Sequence, residues 1–155
     1  MAKWLAGRDT AEEINRQSHS MQLLRTYIVE DSAVIRESLV ATLEELASIV
    51  VVDSADDEST AVQWLSDSGN DADLVIVDLF LKGGSGLGVL RAVQDLPQQR
   101  RMVVLTNYAT EAIRKKCLGL GADRVFDKSG EIDALIRYCN EITAGMDEYS
   151  GSNRA

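Results

Sequence analysis

Five short runs rich in β-branched residues recur along this chain, and their regular spacing leaves few folds open. They are LRTYIV (Leu24 to Val29), SIVVV (Ser48 to Val52), LVIV (Leu74 to Val77), MVVL (Met102 to Leu105) and RVF (Arg124 to Phe126). Their repeat of about 25 residues is what one strand, one helix and two short connections require. Between and after them, apolar residues fall at helical spacing: Ile35, Leu39, Leu43 and Leu46; Ala61, Trp64 and Leu65; Leu87, Leu90 and Val93; Ile113, Cys117 and Leu120; Ile132, Leu135, Ile136 and Cys139. Ser32, Asp56 with Asp57, and Ser129 with Glu131 mark three helix starts, and Gly119 or Gly121 marks the end of the fourth helix. The pattern predicts an α/β fold, a (βα)5 doubly wound parallel sheet with strand order 2-1-3-4-5.

At 155 residues and 45% hydrophobic content, one domain with a full core is the expectation. We assign residues 1–22 to an N-terminal extension or leader, 23–145 to the domain and 146–155 to a frayed C-terminal tail. Thr10 with Glu13 matches a capping box in the extension, and the lone His19 reads as a solvated surface residue. A net charge of -9 argues against direct nucleic-acid binding and against binding to anionic membrane, both of which call for a basic face. No apolar run reaches spanning length and no secretion signal opens the chain, so a cytoplasmic location is expected. Cys117 and Cys139 occupy apolar helical positions and read as small core residues.

The polar residues that interrupt this pattern sit where the runs end. Glu30 and Asp31 close the first, Asp78 the third and Thr106 the fourth, and Lys128 follows the fifth. In an open parallel sheet ligands bind beyond the carboxyl ends of the strands, where the strand order reverses. The order 2-1-3-4-5 brings these five side chains to one rim and leaves Asp53, on the edge strand, outside it. Three carboxylates at such close quarters need a cation, and a few hard oxygen ligands with room for water suit Mg2+. Lys128 and Thr106 add a mobile positive charge and a hydroxyl, both suited to phosphoryl oxygens. Asp78 is then a candidate nucleophile toward phosphorus.

The segments YIVEDS, VIVDLFL, VVLTNYA and VFDKS resemble the four signatures of the response regulator receiver domain, over about Leu23 to Gly145. The resemblance implies the flavodoxin-like receiver fold of two-component signalling and a phosphoacceptor rather than an enzyme with a separate substrate. It makes Asp78 the phosphorylated residue and Asp31 a direct Mg2+ ligand, with Glu30 acting largely through a metal-bound water and the Phe80 backbone carbonyl completing the shell. It makes Thr106 the hydroxyl that moves to the phosphoryl group and Lys128 the cation that binds it. A sensor histidine kinase or histidine phosphotransfer protein is the implied donor. A downstream protein is the implied target, reached through the face of the fourth helix, fifth strand and fifth helix. With no DNA-binding helix pair after the fifth helix, a stand-alone receiver of the chemotaxis-regulator type is expected. A phosphorelay intermediate and a phosphorylation-independent adaptor are the alternatives.

Four positions depart from the family's pattern. Lys82 and GGSG stand where proline often follows the phosphoacceptor, which predicts a more flexible loop carrying a charge. Asn107 follows the switch hydroxyl in place of a small residue, Val125 stands where an aromatic is common, and Ser129 replaces a frequent proline. Tyr108 or Phe126 is the candidate substitute for the missing aromatic. Rival chemistries fit worse. A strand-end aspartate phosphatase needs a second acid where Phe80 stands, and a dinucleotide carrier needs glycines where EDSAVIRE stands.

Overall fold

The computed structural model describes residues 22–154. The extension or leader, its Thr10/Glu13 capping box and His19 lie outside the described residues. Five parallel strands, β1 (Leu24–Val29), β2 (Ile49–Ala55), β3 (Leu74–Val77), β4 (Arg101–Thr106) and β5 (Arg124–Asp127), form one sheet in the order β2-β1-β3-β4-β5. The helices are α1 (Ala33–Leu46), α2 (Glu58–Ser66), α3 (Gly86–Gln94), α4 (Glu111–Gly119) and α5 (Ile132–Arg154). This is the predicted (βα)5 arrangement.

Alternation along the strands splits the core in two. Leu74 and Ile76 of β3 face Leu39 and Leu43 of α1 and Leu135 and Cys139 of α5. Val75 and Val77 face Ala61 and Leu65 of α2, Val89, Leu90 and Val93 of α3, and Cys117 of α4. All four residues of β3 are buried, as expected of a central parallel strand covered on both sides. The two cysteines are free and buried, and burial pushes the Cys139 thiol up to about 11. Ile35 and Leu46, read from periodicity as core, are exposed at the two ends of α1, whose middle turns alone lie over the sheet.

Capping follows the sequence at two of the three marked helix starts. Ser32 Oγ accepts the Ile35 N–H and Asp57 Oδ1 accepts the Thr60 N–H. Ser85 and Thr110, which the periodic pattern did not single out, cap α3 and α4 in the same way. Ser129 does not cap α5: its N–H and Oγ both donate to Asp127 Oδ1, so Asp127 shapes the turn and Glu131 leads into the helix. α4 ends at Gly119 as predicted, and Gly121 at φ +99° accommodates the reversal that follows. Of the tail set at 146–155 and expected to be frayed, residues 146–154 continue the backbone of α5, which is helical to Arg154. No proline interrupts that stretch, and Gly145 and Gly151 cost helix stability without removing a donor.

The edge strand β2 runs three residues past its apolar run, through Asp53 and Ser54 to Ala55. Its pairing with β1 slips at Val52, so that Thr26 faces Val51 and Tyr27 faces Asp53. Tyr27 is buried and its ring stacks on Trp64 of α2 at 4.1 Å. Two backbone donors of β2 are taken by carboxylates: the Val51 N–H donates to Glu44 Oε2 of α1 at 2.9 Å, and the Ser54 N–H to Asp53 Oδ1 at 2.7 Å.

Candidate functional site

Strand register places the polar strand ends together. β1 pairs with β3 up to Val29 and Val77, and the Asp78 N–H still donates to the Val29 carbonyl at 2.9 Å, so Glu30 and Asp78 leave the sheet side by side. β4 pairs with β5 up to Thr106 and Asp127, and the Lys128 N–H donates to the Thr106 carbonyl at 3.0 Å. The four strands therefore deliver their terminal residues to a single rim, with no folding choice left to the loops.

Glu30, Asp31 and Asp78 each present a carboxylate oxygen within 4.8 Å of the others. Glu30 is 2% exposed and Asp78 9%, so two of the three are withdrawn from solvent. The Lys128 ammonium donates to both, to Glu30 Oε1 in a short contact and to Asp78 Oδ2 at 2.7 Å. Burial pulls the Lys128 ammonium down, but hydrogen bonds and charge from Asp78 and Glu30 outweigh it and hold the group above its ordinary value. It is a permanent cation at neutral pH. Three carboxylates face this one ammonium, which leaves an excess of two negative charges in a partly dry cleft. A divalent, oxygen-seeking cation fits that donor set and that charge.

Second contacts fix the cluster. Glu30 Oε2 accepts the Ser32 N–H at 3.1 Å, and Arg36 of α1 donates to the Glu30 carbonyl at 2.7 Å. Thr106 is fully buried, and its Oγ1 accepts the Tyr108 N–H at 3.2 Å. The Phe80 N–H points at Asp78 Oδ1 at 3.4 Å, at the outer limit of a hydrogen bond. The Phe80 and Tyr108 rings are both exposed and meet edge to face, with centroids 4.8 Å apart, beside the cluster. Asp53 stands apart, exposed on β2 and turned to its own neighbour's N–H.

The loop after β3, expected to be flexible, is held at several points. The Glu58 N–H donates to the Gly83 carbonyl, Glu58 Oε1 accepts the Ser85 N–H at 2.8 Å, and Phe80 bridges Ser85. Gly84 sits at φ +82°, where a side chain is strained. Lys82 projects into solvent at the tip. Sequence reasoning missed Arg36 and Glu58 because each acts on backbone groups that side-chain patterns do not reveal.

Residues 26–140 match the family described as the response regulator receiver domain. A probable transcriptional regulatory protein of Picosynechococcus sp. is 32% identical over 76% of this chain and 48% of its own length. A protein-glutamate methylesterase/protein-glutamine glutaminase of Myxococcus xanthus is 28% identical over 74% of this chain and 36% of its own. The chain thus spans about half or less of these relatives. A LuxR-family two-component response regulator from Aurantimonas sp. superposes with a TM-score of 0.71 at 25% identity, over 80% of this chain and 87% of that one.

Proposed function

The chain belongs to the response regulator receiver domain family, and on that footing we propose that it takes a phosphoryl group onto Asp78 and signals through the resulting change in its surface. The observation that carries the reading is the meeting of Glu30, Asp31 and Asp78 with Lys128 bridging Asp78 and Glu30. Nothing in a purely structural ion pair calls for three converging acids, since burying charge is costly unless it is used. We take residues 23–145 as the unit that does this work, in the cytoplasm. Among the described residues no helix is long and apolar enough to cross a membrane.

In this reading one Asp78 carboxylate oxygen attacks phosphorus. The O–P bond forms as the P–N bond of a phosphohistidine on a sensor kinase or phosphotransfer protein breaks. The electron pair leaves with the imidazole, which then picks up a proton. Glu30, Asp31, Asp78 and the Phe80 carbonyl would hold Mg2+, which supplies neutralisation of charge on the phosphoryl oxygens. Lys128 keeps Asp78 oriented and offers its ammonium to the same oxygens. The hydroxyl of Thr106 leaves the Tyr108 amide for the phosphoryl group, and the face of α4, β5 and α5 responds. A cleft running from exposed Val34 and Ile35 of α1 to Lys128, which contacts Asp78, is where the donor protein would sit. The chain promotes its own phosphorylation and dephosphorylation and turns over no other substrate.

Intact-mass measurement after incubation with acetyl phosphate tests this. The wild type is expected to gain one phosphoryl group with Mg2+ and to lose the gain when Mg2+ is chelated, while Asp78→Asn gains none and keeps its fold. A phosphoryl gain by Asp78→Asn would refute the assignment, and no gain by the wild type would favour the phosphorylation-independent adaptor.

A further inference from the structure

Arg114 of α4 has no hydrogen bond to the acidic cluster, yet it joins the loop that follows Thr106 to the one that carries Lys128. Its Nε donates to the Ala109 carbonyl at 3.0 Å, its Nη1 to the Val125 carbonyl at 2.9 Å and its Nη2 to Glu131 Oε1 at 2.6 Å. The same Glu131 oxygen accepts the Asp127 N–H at 2.9 Å, and the Glu131 N–H returns to the Asp127 carbonyl at 2.8 Å. Ala109 lies three residues beyond Thr106, and Asp127 immediately precedes Lys128. One planar guanidinium therefore spans the loop after β4, the strand β5 and the entry to α5.

An exposed Arg–Glu pair by itself contributes little. Here two of the three acceptors are main-chain carbonyls on different elements, and only the rigid fork of a guanidinium meets three such acceptors at once. The bond to Ala109 holds the segment in which the Tyr108 N–H reaches Thr106 Oγ1. That contact, at 3.2 Å, is already near the upper end of hydrogen-bond length. Moving the Thr106 hydroxyl to a phosphoryl group on Asp78 must break it or drag residues 107–109 along, against the pull of Arg114.

We propose that Arg114 is a positioning residue that holds the loops after β4 and β5 in the arrangement with the Thr106 hydroxyl engaged by the Tyr108 amide, and so sets how readily that hydroxyl is released on phosphorylation. The proposal rests on the reading of Asp78 given above. It makes the fourth helix a restraint on the switch as well as part of its output face.

The test compares wild type, Arg114→Ala, Arg114→Lys and Glu131→Gln, each checked for native circular dichroism. Phosphoryl uptake from acetyl phosphate with Mg2+ is followed by intact mass, and amide hydrogen exchange is read at residues 107–109 and 128–130. Arg114→Ala is expected to raise exchange in those two loops and to speed uptake roughly two- to ten-fold, the range set by losing an ordinary hydrogen bond from the resting arrangement. Arg114→Lys keeps the charge facing Glu131 but cannot reach both carbonyls, and is expected not to restore either readout. Glu131→Gln, which retains an acceptor for the Asp127 N–H, is expected to shift both in the same direction if the Arg114 variants do not fold. Uptake by Arg114→Ala at or below the wild-type rate, unchanged loop exchange, or full rescue by lysine would overturn the proposal. If the wild type gains no phosphoryl group, the reading of Asp78 fails, while loop exchange still decides whether Arg114 clamps the two segments.

Discussion

Lys128 and Glu131 are three residues apart and show two uses of a charged side chain. Lys128 is locked between two buried acids, so its charge is part of the site's architecture. Glu131 is half-exposed, and the hydrogen bonds from Arg114 and from the Asp127 N–H hold its carboxyl below the ordinary value of 4.5. A carboxyl whose folded-state pKa lies below its unfolded one adds stability that is complete above the unfolded value and vanishes as pH falls through the folded value. Wild type should therefore melt above Glu131→Gln at pH 7. The difference in Tm should narrow as pH falls below about 5 and through the lowered folded-state value, as followed by circular dichroism. A difference that did not shrink at all as the pH was lowered would mean that the Glu131 charge is not what the folded state uses. Asp78, Glu30, Asp31, Thr106 and Lys128 were legible in the sequence because each directly ends or follows an apolar run, and a parallel sheet converts that position into a shared rim. Arg114 was not legible, because two of its three partners are carbonyls, and no residue code marks a carbonyl.

At the scale of elements, the segment from Asp78 to α3 is built on backbone proximity. A methyl group added at Gly86 would lie 2.3 Å from the Asp78 carbonyl oxygen and 2.9 Å from the Leu79 Cα, atoms that cannot step aside without moving the backbone of Asp78 itself. Gly86→Ala is expected to destabilise the fold by about 1–3 kcal/mol, the usual cost of overpacking. It should also slow phosphoryl uptake, because Asp78 is displaced. Gly119→Ala is the control: nothing lies within 4 Å of its added methyl, and the change is expected to be neutral or to stabilise α4 by up to ~1 kcal/mol in urea titration. The glycines that looked like freedom in the sequence are thus places of contact: Glu58 packs against Gly84 and Gly88 and holds the turn through Ser85. The strands and helices were legible from period alone, but their lengths were less so. β2 continues beyond its apolar run because an edge strand tolerates Asp53 and Ser54 facing water, and α5 continues because glycine weakens a helix without ending it.

For the molecule as a whole, the strand order decides which edges stay open, and β2 is one of them. Its run Ile49–Val52 is aliphatic and β-branched, with Val52 36% exposed, the composition of a segment that recruits further strands from other chains. Glu44 reaches across from α1 to take the Val51 N–H, and Asp53 takes that of Ser54, so an incoming strand finds these donors already occupied and a carboxylate in its path. Glu44→Ala removes that guard while leaving the cluster of Glu30, Asp31, Asp78 and Lys128 intact. The variant is expected to match the wild type in phosphoryl uptake from acetyl phosphate, yet to scatter light and stain with an amyloid dye sooner on mild heating at equal concentration. Equal onset in the two proteins would mean that net charge alone keeps the chain dispersed. On this account one glutamate, remote from the acidic cluster, is expected to raise the concentration at which the chain stays dispersed.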